Sequence, residues 1–103
     1  MITDELQSIH PLLVDKTRLV IMVFLLDKVN PTDFNTLLAN LKLTKGNLSS
    51  HLRKLEEGKF ISVKKEFVDK KPRSSYKSTT KGKAALINYL EAVEKTLKNI
   101  KLK

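Results

Sequence analysis

The spacing of apolar residues changes close to Gly58, and this change constrains the fold more than any other feature of the chain. Before it, three leucines recur at intervals of four and three residues, as in a helix with one buried face: Leu48, Leu52 and Leu55. After it, three apolar residues share one side of an extended segment: Ile61, Val63 and Phe67. The sequence therefore predicts a helix followed directly by a strand, which excludes a purely helical bundle.

A β-hairpin is predicted from residue 60 to residue 79, and we call this segment the wing. Alternation of polar and apolar residues resumes from Arg73 to Thr79, which indicates a second strand. The segment Asp69-Lys70-Lys71-Pro72 lies between the strands and is rich in residue types that favour turns. Six basic residues fall within the wing: Lys64, Lys65, Lys70, Lys71, Arg73 and Lys77. We therefore expect a hairpin with a basic tip.

The residues that precede this region have helical spacing. A short N-terminal helix, about 1–10, is predicted from three apolar residues before Pro11: Ile2, Leu6 and Ile9. Asp15 is predicted to cap a helix over Lys16–Val29, because its carboxylate can accept from the N–H groups of the next turn. That helix contains the all-apolar run Leu19–Leu26, so we expect it to be central and covered on most sides.

Two short helices joined by a tight turn are predicted next. Thr32 or Asp33 can cap the first, whose apolar residues mark one face: Phe34, Leu37, Leu38 and Leu41. Thr44 is predicted to cap the second helix, about 44–57, and Gly58 to form a left-handed C-terminal cap. A helix-turn-helix followed by a two-stranded hairpin is one way to present a helix to the major groove of DNA.

The C-terminal segment, about 80–103, is predicted to form a long helix capped by Thr80. Its apolar residues are spaced four, three, four and three apart, as in a heptad seam: Leu86, Leu90, Val93, Leu97 and Ile100. Such a seam can pack on its own domain or meet a second copy of the chain. We favour a dimer in which the N-terminal helix joins the interface.

Composition sets the class of partner. The 103 residues form one domain, 1–103, with a formal net charge of +9. That excess points to a polyanion, although a lysine-rich surface without a partner is the alternative. There is no cysteine and only two histidines, so we expect no metal site and no cofactor. Isolated glycines and serines without a nearby base argue against an enzyme. A polar N-terminus and short apolar runs favour a cytoplasmic location.

The polar face of the helix at 44–57 is the candidate reading surface. Asn47 and Ser50 can hydrogen-bond base edges, and Arg53 can read guanine or hold phosphate. Gly46 lowers helix stability but allows the backbone to approach DNA closely. His51 lies on the flank of this face, where a phosphate contact and a packing role are both open.

Three stretches of this sequence resemble winged helix-turn-helix regulators of the ArsR/MarR type. Thr-Lys-Gly-Asn-Leu-Ser-Ser-His-Leu-Arg-Lys-Leu-Glu at 44–56 is similar to their recognition helix. Residues 76–86 resemble their strand-to-helix junction, and Asp-Lys-Thr-Arg-Leu at 15–19 resembles a helix start in which Lys16 replaces proline. The resemblance implies a mainly α domain with a small β-hairpin wing, acting as a homodimeric DNA-binding regulator of transcription.

Two properties of the wider group do not carry over. The metal-sensing members use cysteines that this chain lacks, and the members with a ligand pocket have longer terminal helices. Double-stranded DNA, with a pseudo-palindromic target, is the expected partner. We expect the recognition helix, about 44–57, to lie in the major groove and the wing to lie on the adjacent backbone or in the minor groove. The residues expected to contact DNA lie on these two elements: Thr44, Lys45, Gly46, Asn47, Ser50, Arg53, Lys54, Lys70, Lys71 and Arg73. Those expected at the dimer interface lie on the terminal helices: Ile2, Leu6, Ile9, Leu86, Leu90, Val93 and Leu97.

Two other functions compete with this interpretation. One is an architectural protein that coats DNA without sequence preference. The other is a winged helix that binds proteins instead of DNA, and such domains often lack a basic wing.

Overall fold

The computed structural model describes residues 2–101, with side chains from residue 5 onward. Met1, residues 102–103 and the side chain of Ile2 lie outside the described part, and with them the ends of both predicted terminal helices. The elements run in this order: α1 (Ile2–Gln7), a 3-10 turn (Pro11–Leu13), α2 (Lys16–Leu26), β1 (Thr32–Asp33), α3 (Phe34–Leu41), α4 (Lys45–Glu57), β2 (Ile61–Val68), β3 (Lys71–Ser78) and α5 (Thr80–Lys101).

The three strands form an antiparallel sheet in the order β1-β3-β2. The hairpin β2–β3 is paired from Ile61 opposite Ser78 to Val68 opposite Lys71. β1 was not predicted, and it is ordered by pairing with β3, where Thr32 lies opposite Tyr76. A mainly helical chain with a small β-hairpin, arranged as a winged helix-turn-helix, is therefore confirmed.

The core surrounds α2, as predicted. Its side chains come from every helix after α1 and from the start of the wing, and nine of the largest are fully buried: Leu13, Ile21, Met22, Leu25, Leu37, Leu48, Leu55, Phe60 and Leu86. The opposite face of α2 is less covered than expected, because Val20 and Val23 are each more than two-fifths exposed.

Two of the predicted N-caps are present as hydrogen bonds. The Asp15 carboxylate accepts from the N–H of Arg18 at 3.0 Å, and the Thr44 hydroxyl accepts from the N–H of Asn47 at 3.2 Å. Asp33 occupies the N-cap position of α3, but its side chain accepts from the Thr36 hydroxyl instead of a main-chain N–H.

The prediction that Gly58 is left-handed is wrong. Gly58 has φ −78°, and the left-handed residue is Lys59, with φ 63°. A β-carbon at Gly58 would collide with the Leu12 side chain. The end of α4 therefore packs closely against the turn before α2, and a larger residue at this position would require the Leu12 side chain to move.

The prediction that Thr80 caps α5 is wrong by one residue. The cap is Thr79, whose hydroxyl accepts from the N–H of Gly82 at 3.0 Å and donates to the Lys59 carbonyl at 2.7 Å. The hydrogen bond to Lys59 explains why Thr79 and not Thr80 is the cap, because Thr79 lies beside the end of α4.

No helix within residues 2–101 is both long and apolar enough to cross a lipid bilayer.

Candidate nucleic-acid interface

The polar face of α4 is open along its length. Six of the seven residues expected on it are exposed and Ser50 is half-buried: Thr44, Lys45, Gly46, Asn47, Ser50, Arg53 and Lys54. The opposite face is anchored in the core by its three leucines. Among the described residues, no atom lies within 4 Å of a β-carbon built on Gly46. Packing within the chain therefore does not explain this glycine.

The turn between α3 and α4 fixes how α4 is presented. α3 ends at Leu41, and Lys42 adopts a left-handed conformation with φ 54°. The Lys42 N–H donates to the Leu38 carbonyl at 3.1 Å, which closes the last turn of α3. Thr44 then begins α4, so two basic side chains, Lys42 and Lys45, lie on either side of the helix start.

His51 belongs to a polar cluster that joins α4 to the start of α2. Its Nδ1 lies 3.3 Å from the Arg18 guanidinium and 3.8 Å from the Asp15 carboxylate. Arg18 also donates through Nε to the Leu12 carbonyl at 2.8 Å. The N–H of Arg18 lowers the pKa of Asp15, with help from the charges of His51 and Arg18 and against partial desolvation. The cluster supports the packing role considered for His51.

The tip of the wing is a two-residue turn, narrower than the predicted four-residue segment. Asp69 and Lys70 form it, and both have positive φ, 52° and 65°. That conformation matches the twist of a tight hairpin, although glycine or asparagine usually occupies it. Lys71 and Pro72 already belong to β3. Lys70 and Lys71 are exposed at the end of the hairpin.

Arg73 is placed differently from the two lysines. Its guanidinium lies 3.8 Å from the Asp33 carboxylate at the start of α3 and remains half-exposed. Asp33 also accepts from the Thr36 hydroxyl. Arg73 therefore links the wing to the helix-turn-helix, and sequence reasoning missed this link because Asp33 and Arg73 are far apart in the chain.

One face of the hairpin turns toward α4. At its base Ile61 is buried and Val63 is partly buried. Tyr76, opposite Val63, has its pKa raised chiefly by burial and further by the negative charge of Glu56 on α4. The base of the hairpin therefore packs against α4.

Phe67 differs from Ile61 and Val63 in its exposure to solvent. Phe67 does share their face, but it is 79% exposed, because the hairpin extends beyond the body of the protein at this point. Its partner across the strands is Pro72, which is also exposed. The exposure of Phe67 could have been predicted from its position, since it lies only two residues before the basic turn.

An open groove of about 650 Å³ separates the wing from the helix-turn-helix. Its walls are the start of α3, Ser49 of α4 and the outer half of β3, with Lys71 and Arg73 among the lining residues. The structure thus brings Ser49 of α4, the start of α3 and the wing tip around one concave surface, whose charged residues are two basic and two acidic: Lys71, Arg73, Asp33 and Asp69.

The terminal helices carry the residues expected at a dimer interface. α1 packs along α5, and the Asn88 amide donates to the Ser8 carbonyl at 3.2 Å. Leu6, Leu90, Val93 and Leu97 are between 41% and 49% exposed. Ile9 is half-buried against the core. The assignment of Leu86 is corrected, because this side chain is fully buried within its own chain.

Comparison with known proteins places these features in a family. The sequence profile of a winged helix DNA-binding domain matches residues 17–97. An uncharacterized protein of Methanocaldococcus jannaschii is 41% identical over 68 residues, which cover 66% of this chain and 74% of that protein. The structure of a transcriptional regulator homologue from Pyrococcus horikoshii OT3 superposes with a TM-score of 0.83 at 30% identity, covering 94% of this chain and 97% of that one.

Proposed function

Because this chain belongs to the family of winged helix DNA-binding domains, we propose that it is a homodimeric, sequence-specific regulator of transcription of the short ArsR/MarR-like type. The observation that carries the proposal is the open groove that brings Ser49 of α4 together with Lys71 and Arg73 of the basic wing. The solved relative is described as a transcriptional regulator homologue, which supports the same role here.

In the proposed complex, α4 lies in the major groove. Asn47 projects an amide that pairs with adenine edges, and Arg53 projects a guanidinium that matches guanine. Ser50 donates or accepts at several bases. Gly46 has no side chain, so the backbone of α4 can lie close to DNA at this position. Thr44, Lys45 and Lys54 contact phosphates beside these bases.

The wing supplies most of the affinity in this proposal. Lys70 and Lys71 reach phosphates next to the groove that α4 occupies. Arg73 also reaches a phosphate, because its side chain remains half-exposed beside Asp33. Such contacts position a protein on the duplex without reading sequence. They also release counterions, which makes binding dependent on salt.

We propose that two copies pair through α1 and α5. The exposed stripe formed by Leu6, Leu90, Val93 and Leu97 supplies an apolar surface at helical spacing. Burying such side chains against a second copy is favourable, at about 25 cal/mol for each Å² removed from water. Two copies related by a twofold axis then place their α4 helices in successive major grooves, about 34 Å apart on a pseudo-palindromic target.

Selection of bound sites from a pool of random duplexes tests the proposal. We expect an enriched pseudo-palindrome with half-sites one helical turn apart. Enrichment of no sequence, together with tight binding, would establish the architectural alternative. Failure to bind any duplex at low salt would contradict the proposal and favour the protein-binding alternative.

A titration followed by fluorescence anisotropy tests the electrostatic part separately. If a dimer neutralises about six phosphates, log K falls against log salt with a slope near −5. A flat response would contradict the assignment of Lys70, Lys71 and Arg73 to phosphate.

A further inference from the structure

The end of the wing carries an apolar pair that phosphate contacts do not explain. Phe67 is 79% exposed, and it lies directly across the hairpin from the exposed ring of Pro72. A single exposed apolar residue is ordinary on a protein surface. Here, two rigid apolar side chains form a cross-strand pair at the far end of a protruding hairpin, which is a more specific arrangement.

The residues around this pair carry a net positive charge. Lys65 precedes Phe67 by two residues on the same strand face, and Lys70 and Lys71 form the adjacent end of the hairpin. All three lysines are exposed, as are the two acidic residues between them, Glu66 and Asp69. This excess of positive charge disfavours an apolar partner with basic surroundings, including the wing of a second copy. The positive charge favours a polyanion, and the apolar pair favours a partner whose apolar interior can be opened. Double-stranded DNA has both properties, since its phosphates are anionic and its stacked bases are apolar.

The dimensions of the wing suit the adjacent minor groove. Phe67 lies six residues beyond Ile61, which is buried in the body, so it projects about 20 Å along the strand. The centre of the minor groove lies half a helical turn, about 17 Å, from the major groove that α4 is proposed to occupy. The pair also shares the hairpin face that turns toward α4.

We propose that Phe67 and Pro72 act as an apolar wedge that enters the minor groove, partly opens a base step and bends the duplex. This inference rests on the DNA-binding function proposed above and adds a contact that reads how easily DNA deforms. Proteins that bind the minor groove use Phe and Pro as wedges of this kind and bend the duplex by roughly 20–90°. Pyrimidine–purine steps open most easily, so the wedge favours them without hydrogen-bonding any base.

The experiment uses the full chain and an A·T-rich duplex of roughly 40 base pairs, about four helical turns, with a central TA step. The adenines of that step are replaced by 2-aminopurine, whose fluorescence rises when the stack opens. Dyes at the two ends report bending by energy transfer. The wild-type chain is expected to raise both signals at saturation.

Three variants separate the wedge from other contributions. Phe67→Ala is expected to lose both signals and about tenfold in affinity, given the usual worth of aromatic stacking on a base. Phe67→Leu is expected to keep most of both signals, because Leu also serves as a wedge. Val29→Ala changes a side chain of similar exposure outside the wing and is expected to match the wild type.

The outcomes distinguish the two proposals. If Phe67→Ala opens and bends the duplex as the wild type does, the wedge is wrong while DNA binding stands. The same holds if the wild type binds without either signal, or if Phe67→Ala acts by changing the oligomeric state in sedimentation. If the wild type binds no duplex, both proposals fail.

Discussion

The hydroxyl of Thr79 donates a 2.7 Å hydrogen bond to the main-chain carbonyl of Lys59. Lys59 is the left-handed residue that ends α4, and Thr79 caps the first turn of α5. One side chain therefore fastens the end of the recognition helix to the start of the C-terminal helix, across the base of the wing.

Removing this hydroxyl tests its structural role. Thr79→Val keeps the side-chain shape but loses both hydrogen bonds, so the free energy of unfolding is expected to fall by about 1–2 kcal/mol. Thr80→Val is the matched control, since Thr80 is exposed and does not provide the cap. Urea unfolding of both variants measures the difference. Equal losses would mean that Thr79 is not the cap in solution.

Two glycines in helices are expected to respond in opposite ways to alanine. A β-carbon at Gly82 would meet the Phe60 main chain and, at 2.9 Å, Met22 Cε. Because the Phe60 backbone cannot yield easily, Gly82→Ala is expected to cost about 2 kcal/mol of stability. Alanine at the open Gly46 is instead expected to add about 0.5 kcal/mol. Thermal unfolding decides, and a stabilised Gly82→Ala would contradict the close packing.

Gly46→Ala also tests the role of α4. Its β-carbon meets no described atom of the chain, so any loss of DNA affinity comes from the DNA side. We expect weaker binding to the selected duplex despite the higher stability. Unchanged anisotropy curves would show that the backbone does not approach DNA at Gly46.

The lowered pKa of Asp15 predicts an acid-sensitive contribution to stability. The folded pKa lies below the ordinary value of 3.8, so the contribution is present above pH 3.8 and is lost as pH falls through the folded value. Asp15→Asn keeps a capping side chain but removes the charge. Its melting temperature is expected to approach that of the wild type as pH falls from about 5 to about 2. A constant difference across that range would show that the ionisation of Asp15 does not contribute to stability.

Wing and recognition-helix variants are expected to differ in kind. Lys70→Ala and Lys71→Ala should weaken binding to all duplexes alike and lower the salt slope by about two each, because each removes a phosphate contact from both subunits of the proposed dimer. Asn47→Ala should change the ranking of duplexes that differ at one base pair. Binding-site selection repeated on each variant separates these effects, and an unchanged profile for Asn47→Ala would remove it from the reading residues.

The dimer interface is tested by placing a charge on the exposed stripe. Leu97→Glu is expected to yield monomers. Their melting transition is not expected to broaden, because the Leu97 side chain is half-exposed in the isolated chain. Val29→Glu is the control, since it adds the same charge at another exposed apolar position. Sedimentation equilibrium gives the masses, and a Leu97→Glu dimer would place the interface elsewhere.

Local signals were enough to find most of the fold. Asp15 and Thr44 cap helices that begin at the next residue, so the information lies within one turn of chain. The buried face of α4 follows from the spacing of its leucines. Contacts between distant segments were not available in the same way. β1 exists because Thr32 meets Tyr76, and Gly58 is closely packed because Leu12 lies against it.

The same distinction applies to the candidate site. The polar face of α4 could be predicted from the helical wheel, because residues opposite the buried leucines must be exposed. The pairing of Arg73 with Asp33 and the placement of His51 beside Arg18 depend on how separate elements meet. The exposure of Phe67 depends on where the body of the protein ends beneath the hairpin, which strand alternation does not encode.

α5 continues without a break from Thr80 to Lys101, a span of about 33 Å. Its first turn is tied through Thr79 to the end of α4, so it behaves as a lever whose pivot lies beside the recognition helix. A tilt of about 10° at that pivot moves the far end of α5 by about 6 Å. In the proposed dimer, a small change in the angle at which the two α5 helices cross would likewise alter the separation of the two α4 helices. The spacing of half-sites that the proposed dimer accepts would therefore be set far from any base.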